Sequence, residues 1–241
     1  TPALLDELTA AGEVTWTGCG ALAGVDGWLA LAPTDVADLL LPEPDPDLVA
    51  TPLHRAVLTA LGRPDLAPSD TADPGGGDQV PIGGGALFFR ELAERAGRVL
   101  IENGEPGPGD DTVVAAVWDL LWAGLLTNDT MAPLRARLGG GRGGGGAHRA
   151  RRAAPRGRYA QLRAGRPAMP SRSGPASVGG RWAVAPDREP DLTRRAHARA
   201  EAFLERHGVL TRGALSTERV AGGFAGVYRV LRAMEDSGRC R

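Results

Sequence analysis

Apolar residues recur three and four positions apart in three stretches that each end on glycine: LLDELTAAG (4–12), AVWDLLWAG (116–124) and VLRAMEDSG (230–238). Counting back from Gly12, Gly124 and Gly238, the fourth position is Leu8, Leu120 and Met234. The seventh is Leu5, Val117 and Leu231, and the eighth is Leu4, Ala116 and Val230. Positions at this spacing share one helical face. A glycine behind such a face predicts a left-handed stop, because it has no Cβ to clash. Strand-like runs follow the first two glycines, EVTWTGC and LLTN, whereas the third is followed by RCR.

Further repeats fill in the order of elements. GWLALAP (27–33) is similar to RWAVAP (181–186), and the first of these pairs with EVTWTGC as a predicted hairpin. GALFFREL (85–92) matches GVLTRGAL (208–215); each reads as a brief strand entering a short helix. Thr51-Pro52 predicts a capped helix start, with the stripe Leu53, Val57, Ala60 and Leu61 ahead of Gly62. Asp110 or Asp111 would cap the helix running to Gly124. Asp191 would cap a helix over 192–207, with the stripe Leu192, Ala196, Ala200, Phe203 and Leu204 before Gly208.

Helix, strand, short helix, long helix, strand, loop, strand is the winged-helix order. The expected fold is α+β and helix-rich, with tandem winged-helix modules and short β-hairpin wings. A partial module is expected over 1–41 (third helix and wing), a complete one over 48–186, and a third over 187–241 without its wing. Cut ends would leave apolar faces unpaired. Trp118 and Trp122 read as core or inter-module packing, since aromatic area dominates packing energies. Residues 139–180 are dominated by Gly, Arg and Pro, and read as a disordered insert between the strands of the second wing. The acidic stretches 41–47 and 67–78 read as spacers.

Charge changes this picture more than composition does. All 28 basic residues are Arg. Residues 1–132 hold 5 Arg against 21 acids, and residues 133–241 hold 23 Arg against 8, so nets of −16 and +15 hide behind a total of −1. A GC-rich genome explains the choice of Arg over Lys but not its segregation. A basic half predicts an anionic partner such as DNA. Two cysteines, Cys19 and Cys240, give neither a disulfide framework nor a zinc cluster, and fit the cytoplasm. The apolar run 113–126 contains Asp119 and is too short for a membrane span. The first residues lack the features of a signal peptide. The absence of an initiator Met reads as a start inside a longer protein.

Several motifs together resemble one family: LLDELTAAGEVTWTG with DGWLAL, GGGALFFREL, WDLLWAGLLTNDTMAPLRA, GRWAVAP, RRAHARAEAFLERHGVLTRGAL and GGFAGVYRVLRAMEDSGR. The chain resembles the C-terminal region of Lhr-type (large helicase-related) superfamily 2 DNA helicases. That resemblance implies a longer protein that unwinds DNA with ATP and Mg in upstream motor domains, linked to DNA repair. No motor is expected here: no GxxxxGK[ST] occurs, and without Lys the phosphate-cradling residue is missing. No cofactor or metal is expected in this chain. Some family members are linked to uracil-DNA glycosylase activity, but no catalytic carboxylate of that kind can be matched here.

The candidate DNA-binding residues follow from charge on predicted helix faces. Arg229 and Arg232 project away from the stripe Phe224, Val227, Tyr228, Leu231 and Met234. Arg194, Arg195 and Arg199 on the preceding long helix are further phosphate candidates. Arg151, Arg152, Arg156 and Arg158 lie in the insert, where Tyr159 would stack on a base. The competing view makes these solvated charges and the insert a linker. The helix bearing Asp110, Asp111 and Asp119 carries no Arg and should pack rather than read DNA. The four histidines have no metal spacing. Three functions compete: a DNA-binding scaffold beside helicase motor domains, part of a DNA glycosylase, and a protein-interaction or homo-oligomerisation module. None involves a membrane.

Overall fold

Residues 2–66, 85–139, 174–218, 220 and 223–241 are described in the computed structural model of the chain. Helix α1 (Pro2–Ala10) is ended by Gly12 at φ 75°. The Gly12 amide donates to the Thr9 carbonyl (3.1 Å) and the Glu13 amide to the Leu8 carbonyl (3.0 Å). This pair of bonds satisfies two orphan carbonyls of the last turn and reverses the chain. Strand β1 (Val14–Ala21) follows at once and pairs with β2 (Gly27–Pro33). A 3-10 turn then leads into the one-turn helix α2 (Ala37–Leu40).

Helix α3 (Pro52–Ala60) starts where Thr51-Pro52 predicts. The Thr51 hydroxyl accepts the His54 amide, and His54 Nδ1 accepts the Thr51 amide, both at 3.2 Å. This is a capping box with histidine in the usual glutamate position. Strand β3 (Leu87–Phe88) enters α4 (Phe89–Glu102). The expectation of a short helix here is corrected: the apolar stripe Phe89, Leu92, Ala96 and Leu100 carries it through 14 residues. Helix α5 (Asp110–Trp122) is capped by Gly109, not by Asp110 or Asp111. Both carboxylates sit in its first turn instead, at the positive end of the helix dipole. Gly124 ends α5 as Gly12 ends α1: φ is 81°, Gly124 N–H donates to Leu121 (2.9 Å) and Leu125 N–H to Leu120 (3.0 Å).

Strand β4 (Leu126–Asn128), helix α6 (Ala132–Gly139) and strand β5 (Arg181–Val184) complete this part. The sheet is antiparallel, ordered β3-β5-β4, with Leu87 and Asn128 both opposite Trp182. Helix α3, strand β3, helices α4 and α5, and strands β4 and β5 follow the element order of a winged helix, and α1–β1–β2 repeats its last three elements. The insert is shorter than its expected span 139–180. Gly139 ends α6, and a 3-10 turn at Ala176–Val178 is folded down with Val178 fully buried. Trp118 Nε1 donates to Ser177 O (3.0 Å) and Asn128 Nδ2 to Gly179 O (3.1 Å), which fixes this end of the insert. The remainder, 140–173, lies outside the described residues, as does the acidic stretch 67–78.

The chain divides into two compact units, Thr1–Leu31 with Pro44–Ala185, and Ala32–Glu43 with Pro186–Arg241. The tryptophans organise the first unit. Trp118 meets Trp182 edge-on at 5.8 Å and Trp122 at 5.5 Å, and Trp16 is buried in the same core. The β1–β2 hairpin seats on α5 through two glycines. A Cβ on Gly18 would stand 2.3 Å from the Leu121 carbonyl oxygen, and one on Gly27 would stand 2.5 Å from the Trp122 ring. Thr17 Oγ1 donates to Leu126 O at 2.8 Å, extending the contact to β4. Asp6 on α1 accepts the Met131 amide (3.2 Å) and pairs with Arg135; the Arg135 bond is the main cause of its lowered pKa.

The second unit contains α7 (Leu192–His207), α8 (Arg212–Thr217) and α9 (Gly223–Asp236) around Ala200, Phe203, Leu215, Val227 and Met234. Asp191 caps α7 as predicted, accepting the Thr193 amide at 2.8 Å. The strand expected ahead of α8 is replaced by a cap in which Thr211 accepts the Ala214 amide (3.1 Å). Gly238, at φ 78°, closes α9 with the same two bonds, Gly238 to Glu235 (2.9 Å) and Arg239 to Met234 (2.8 Å). Residues 32–43 group with 186–241. The stretch 41–47 is not a bare spacer: Leu41 is fully buried, Pro42 O accepts Arg188 Nε (2.7 Å), and in the first unit Asp45 N–H donates to Ala123 O (2.8 Å).

Two glycine substitutions separate conformational strain from close packing. Gly12→Ala meets no neighbouring atom within 4 Å and costs only left-handed strain, about 1–2 kcal/mol. Gly18→Ala overpacks against backbone and costs about 3 kcal/mol. Urea midpoints followed by Trp fluorescence check the ranking.

Candidate nucleic-acid interface

Of the three glycine-stopped helices, α9 keeps a basic face exposed. Val227 and Met234 are buried, and Phe224, Val230 and Leu231 pack partly against the same core. Ala225, Gly226, Tyr228, Arg229 and Arg232 face outward. Among the described residues, Arg229 and Arg232 make no hydrogen bond or ion pair. They lie three residues apart, hence on one side of the helix. The acids Glu235 and Asp236 come after them, so the first two turns of the face are purely cationic. Tyr228 belongs to this outer face rather than to the core stripe expected from the sequence.

Helix α7 supplies less than its charge suggests. Arg195 is 2% exposed; its Nη2 donates to Leu41 O (2.6 Å), and it pairs with Glu43. Arg199 donates to Leu41 O at 3.3 Å, and burial lowers its pKa. These two guanidiniums satisfy carbonyls at the C-terminal end of α2. Arg194 remains on the surface but is paired with Glu189. Leu192, expected in the core stripe, is 70% exposed. The helix turns Arg195 inward instead, because residues 32–43 need donors there. Arg151, Arg152, Arg156, Arg158 and Tyr159 lie outside the described residues.

Three carboxylates, Glu218, Asp119 and Asp110, are taken up by basic partners within the fold. Glu218 accepts Arg206 Nη1 (2.6 Å) and meets His207 Nε2 (2.8 Å), joining α7 to the end of α8. Burial raises the Glu218 pKa, but the bonds from His207 and Arg206 outweigh it and leave it lowered. Asp119 on α5 faces the buried His54 at 3.5 Å, where burial lowers the imidazole pKa against the pull of Asp119. Asp110 pairs with Arg90 at 2.6 Å. Helix α5 itself is packed along most of its length, with Val113, Ala116, Val117, Trp118, Leu120, Leu121 and Trp122 all buried. Trp118 and Trp122 therefore stand in the core of the first unit, and Trp122 is the seat of the repeated hairpin. Arg137 lies 4.7 Å above the Trp118 ring and closes it from outside. Among the described residues, no group of His, Cys, Asp and Glu could hold a metal ion, and no helix is long and apolar enough to cross a membrane.

Residues 189–241 match the family described as large helicase-related protein, winged-helix domain. The chain is 42% identical over 242 aligned residues to the Lhr helicase/probable uracil glycosylase of Mycolicibacterium smegmatis, an alignment covering 100% of the chain. It is 31% identical over 245 residues to the Lhr helicase/uracil glycosylase of Escherichia coli, covering 98% of the chain. The chain spans 14% of the length of each of these relatives.

Arg195→Ala should lower stability by about 2–3 kcal/mol, as expected for losing charged donors to buried carbonyls, whereas Arg229→Ala and Arg232→Ala should stay within about 0.5 kcal/mol. Thermal unfolding distinguishes the two classes. The Glu218 pKa is lower folded than its ordinary value of 4.5. Its contribution is therefore present above pH 4.5 and is lost as pH falls through the folded pKa. In acid titrations followed by circular dichroism, Glu218→Gln should remove part of the destabilisation below pH 4.5.

Proposed function

We propose, from the premise that residues 189–241 are a winged-helix domain of the large helicase-related family and that the whole chain aligns with Lhr helicases, that this chain is a DNA-binding and scaffolding segment of an ATP-dependent repair helicase. The observation that carries the reading is the exposed Arg229–Arg232 face on α9, which has no partner among the described residues. A third helix with a cationic outer face is how a winged helix meets a DNA groove or its phosphates. The buried, acidic α5 has the opposite character and serves as a scaffold. In this reading the motor domains, with their ATP and Mg, are covalent neighbours of the segment in a longer cytoplasmic protein. The first unit and its tryptophan-rich core are then structural.

The names of both relatives also carry a uracil glycosylase. Glycosylase chemistry calls for a carboxyl group tuned to the reaction in a base-sized pocket. Asp6, Asp65 and Glu218 are each held ionised by an Arg partner, which suits structural ion pairs better than acid catalysis. DNA binding is therefore the preferred function.

Phosphate-dominated binding has a steep salt dependence. Fluorescence anisotropy against a labelled oligonucleotide should give a negative slope of log affinity against log salt. Arg229→Ala with Arg232→Ala should flatten that slope by about 2, one for each guanidinium taken off a phosphate. A slope near zero in the unsubstituted chain contradicts the proposal.

A further inference from the structure

Side chains of the second unit form a stack that phosphate binding leaves unused. The Arg212 guanidinium carbon lies 5.4 Å from the centre of the Phe224 ring. Phe224 in turn stacks on Tyr228, with centroids 5.6 Å apart and planes inclined by 25°. Arg232 stands four residues beyond Tyr228 on the same stripe, about 6 Å further along the helix axis. Phe224 is anchored against the core, whereas Tyr228 is 51% exposed. The stack therefore begins at a cation, runs through a fixed aromatic ring and ends at an open one. Its open end has Arg232 on the next turn and Arg229 beside it, both without a partner among the described residues.

An exposed ring held on one side by a fixed ring is already oriented, so a planar partner can stack on it with little loss of rotamer freedom. The flanking guanidiniums favour a partner that is both aromatic and anionic. Nucleobases attached to a phosphate backbone have both properties, but in continuous duplex the base faces are covered by their neighbours. We infer that the open face of Tyr228 stacks on an unpaired nucleobase, with Arg229 and Arg232 on the flanking phosphates, so that the second unit selects single-stranded over continuous duplex nucleic acid. This rests on the DNA-binding proposal and narrows its substrate. A base stacked on an aromatic side chain strengthens binding by on the order of tenfold or more, whatever the base.

The test uses the full chain and one mixed-sequence oligonucleotide carrying 2-aminopurine, presented single-stranded and annealed to its complement. The expected result is tighter binding to the single strand, with quenching of 2-aminopurine. Tyr228→Ala and Tyr228→Leu should weaken single-strand binding on the order of tenfold and leave duplex binding within about twofold. Tyr228→Phe should bind both as the unsubstituted chain does, because the ring and not the hydroxyl makes the contact. Duplex binding retained by both variants excludes misfolding as the cause. Equal weakening on both forms, or none on either, overturns the stacking inference and leaves the DNA-binding proposal standing. Failure of the unsubstituted chain to bind either form removes both.

Discussion

A helix that ends on a left-handed glycine passes its last carbonyls to two amides beyond it, and the chain has to double back. Gly12, Gly124 and Gly238 all make this turn, with φ between 75° and 81°. In each case the residue four before the glycine, Leu8, Leu120 or Met234, gives its carbonyl to the closing bond. Leu120 and Met234 also bury their side chains in the cores of their units. In those two copies one position couples the end of the helix to its burial. In the first two copies the reversed chain becomes a wing strand, and the hairpin β1–β2 and the strands β4 and β5 follow from that geometry.

The copies share the turn but not the employment. Helix α5 is covered on most sides, and its acids are taken up by Arg90 and His54. The glycines Gly18 and Gly27 bring the repeated hairpin to within a missing Cβ of its C-terminal turn. Helix α9 buries Val227 and Met234 and presents its arginines outward. Among the described residues, Arg229 and Arg232 stand without a partner on the helix that is open. Other arginines of the basic half, Arg195 and Arg199 among them, are consumed in holding residues 32–43.

What the sequence revealed was local physics. A glycine stop depends on chirality within a few residues, and the Asp191 and Thr51 caps depend on a side chain reaching amides two or three positions on. Those features were legible, as was the outward direction of Arg229 and Arg232. Arg195 was not, because charge alone cannot tell water from the Leu41 carbonyl, 154 residues away in the chain. The close approach at Gly18 was equally hidden, since a glycine within a strand has the same sequence whether it faces solvent or another backbone. Tyr228 shows a third failure: helical spacing assigned it to the core, yet Val227 and Leu231 take the core side of that turn and Tyr228 is left half-exposed.

In the proposed function, the open basic helix of the second unit is the working surface and the buried helix of the first is scaffold. Backbone amide resonances recorded during titration with a short oligonucleotide separate these two roles residue by residue. Progressive shifts are expected for the Tyr228, Arg229 and Arg232 amides, while those of Val117 to Leu121 stay in place. Shifts centred on α5, with the α9 signals unmoved, would reverse the assignment of surface and scaffold.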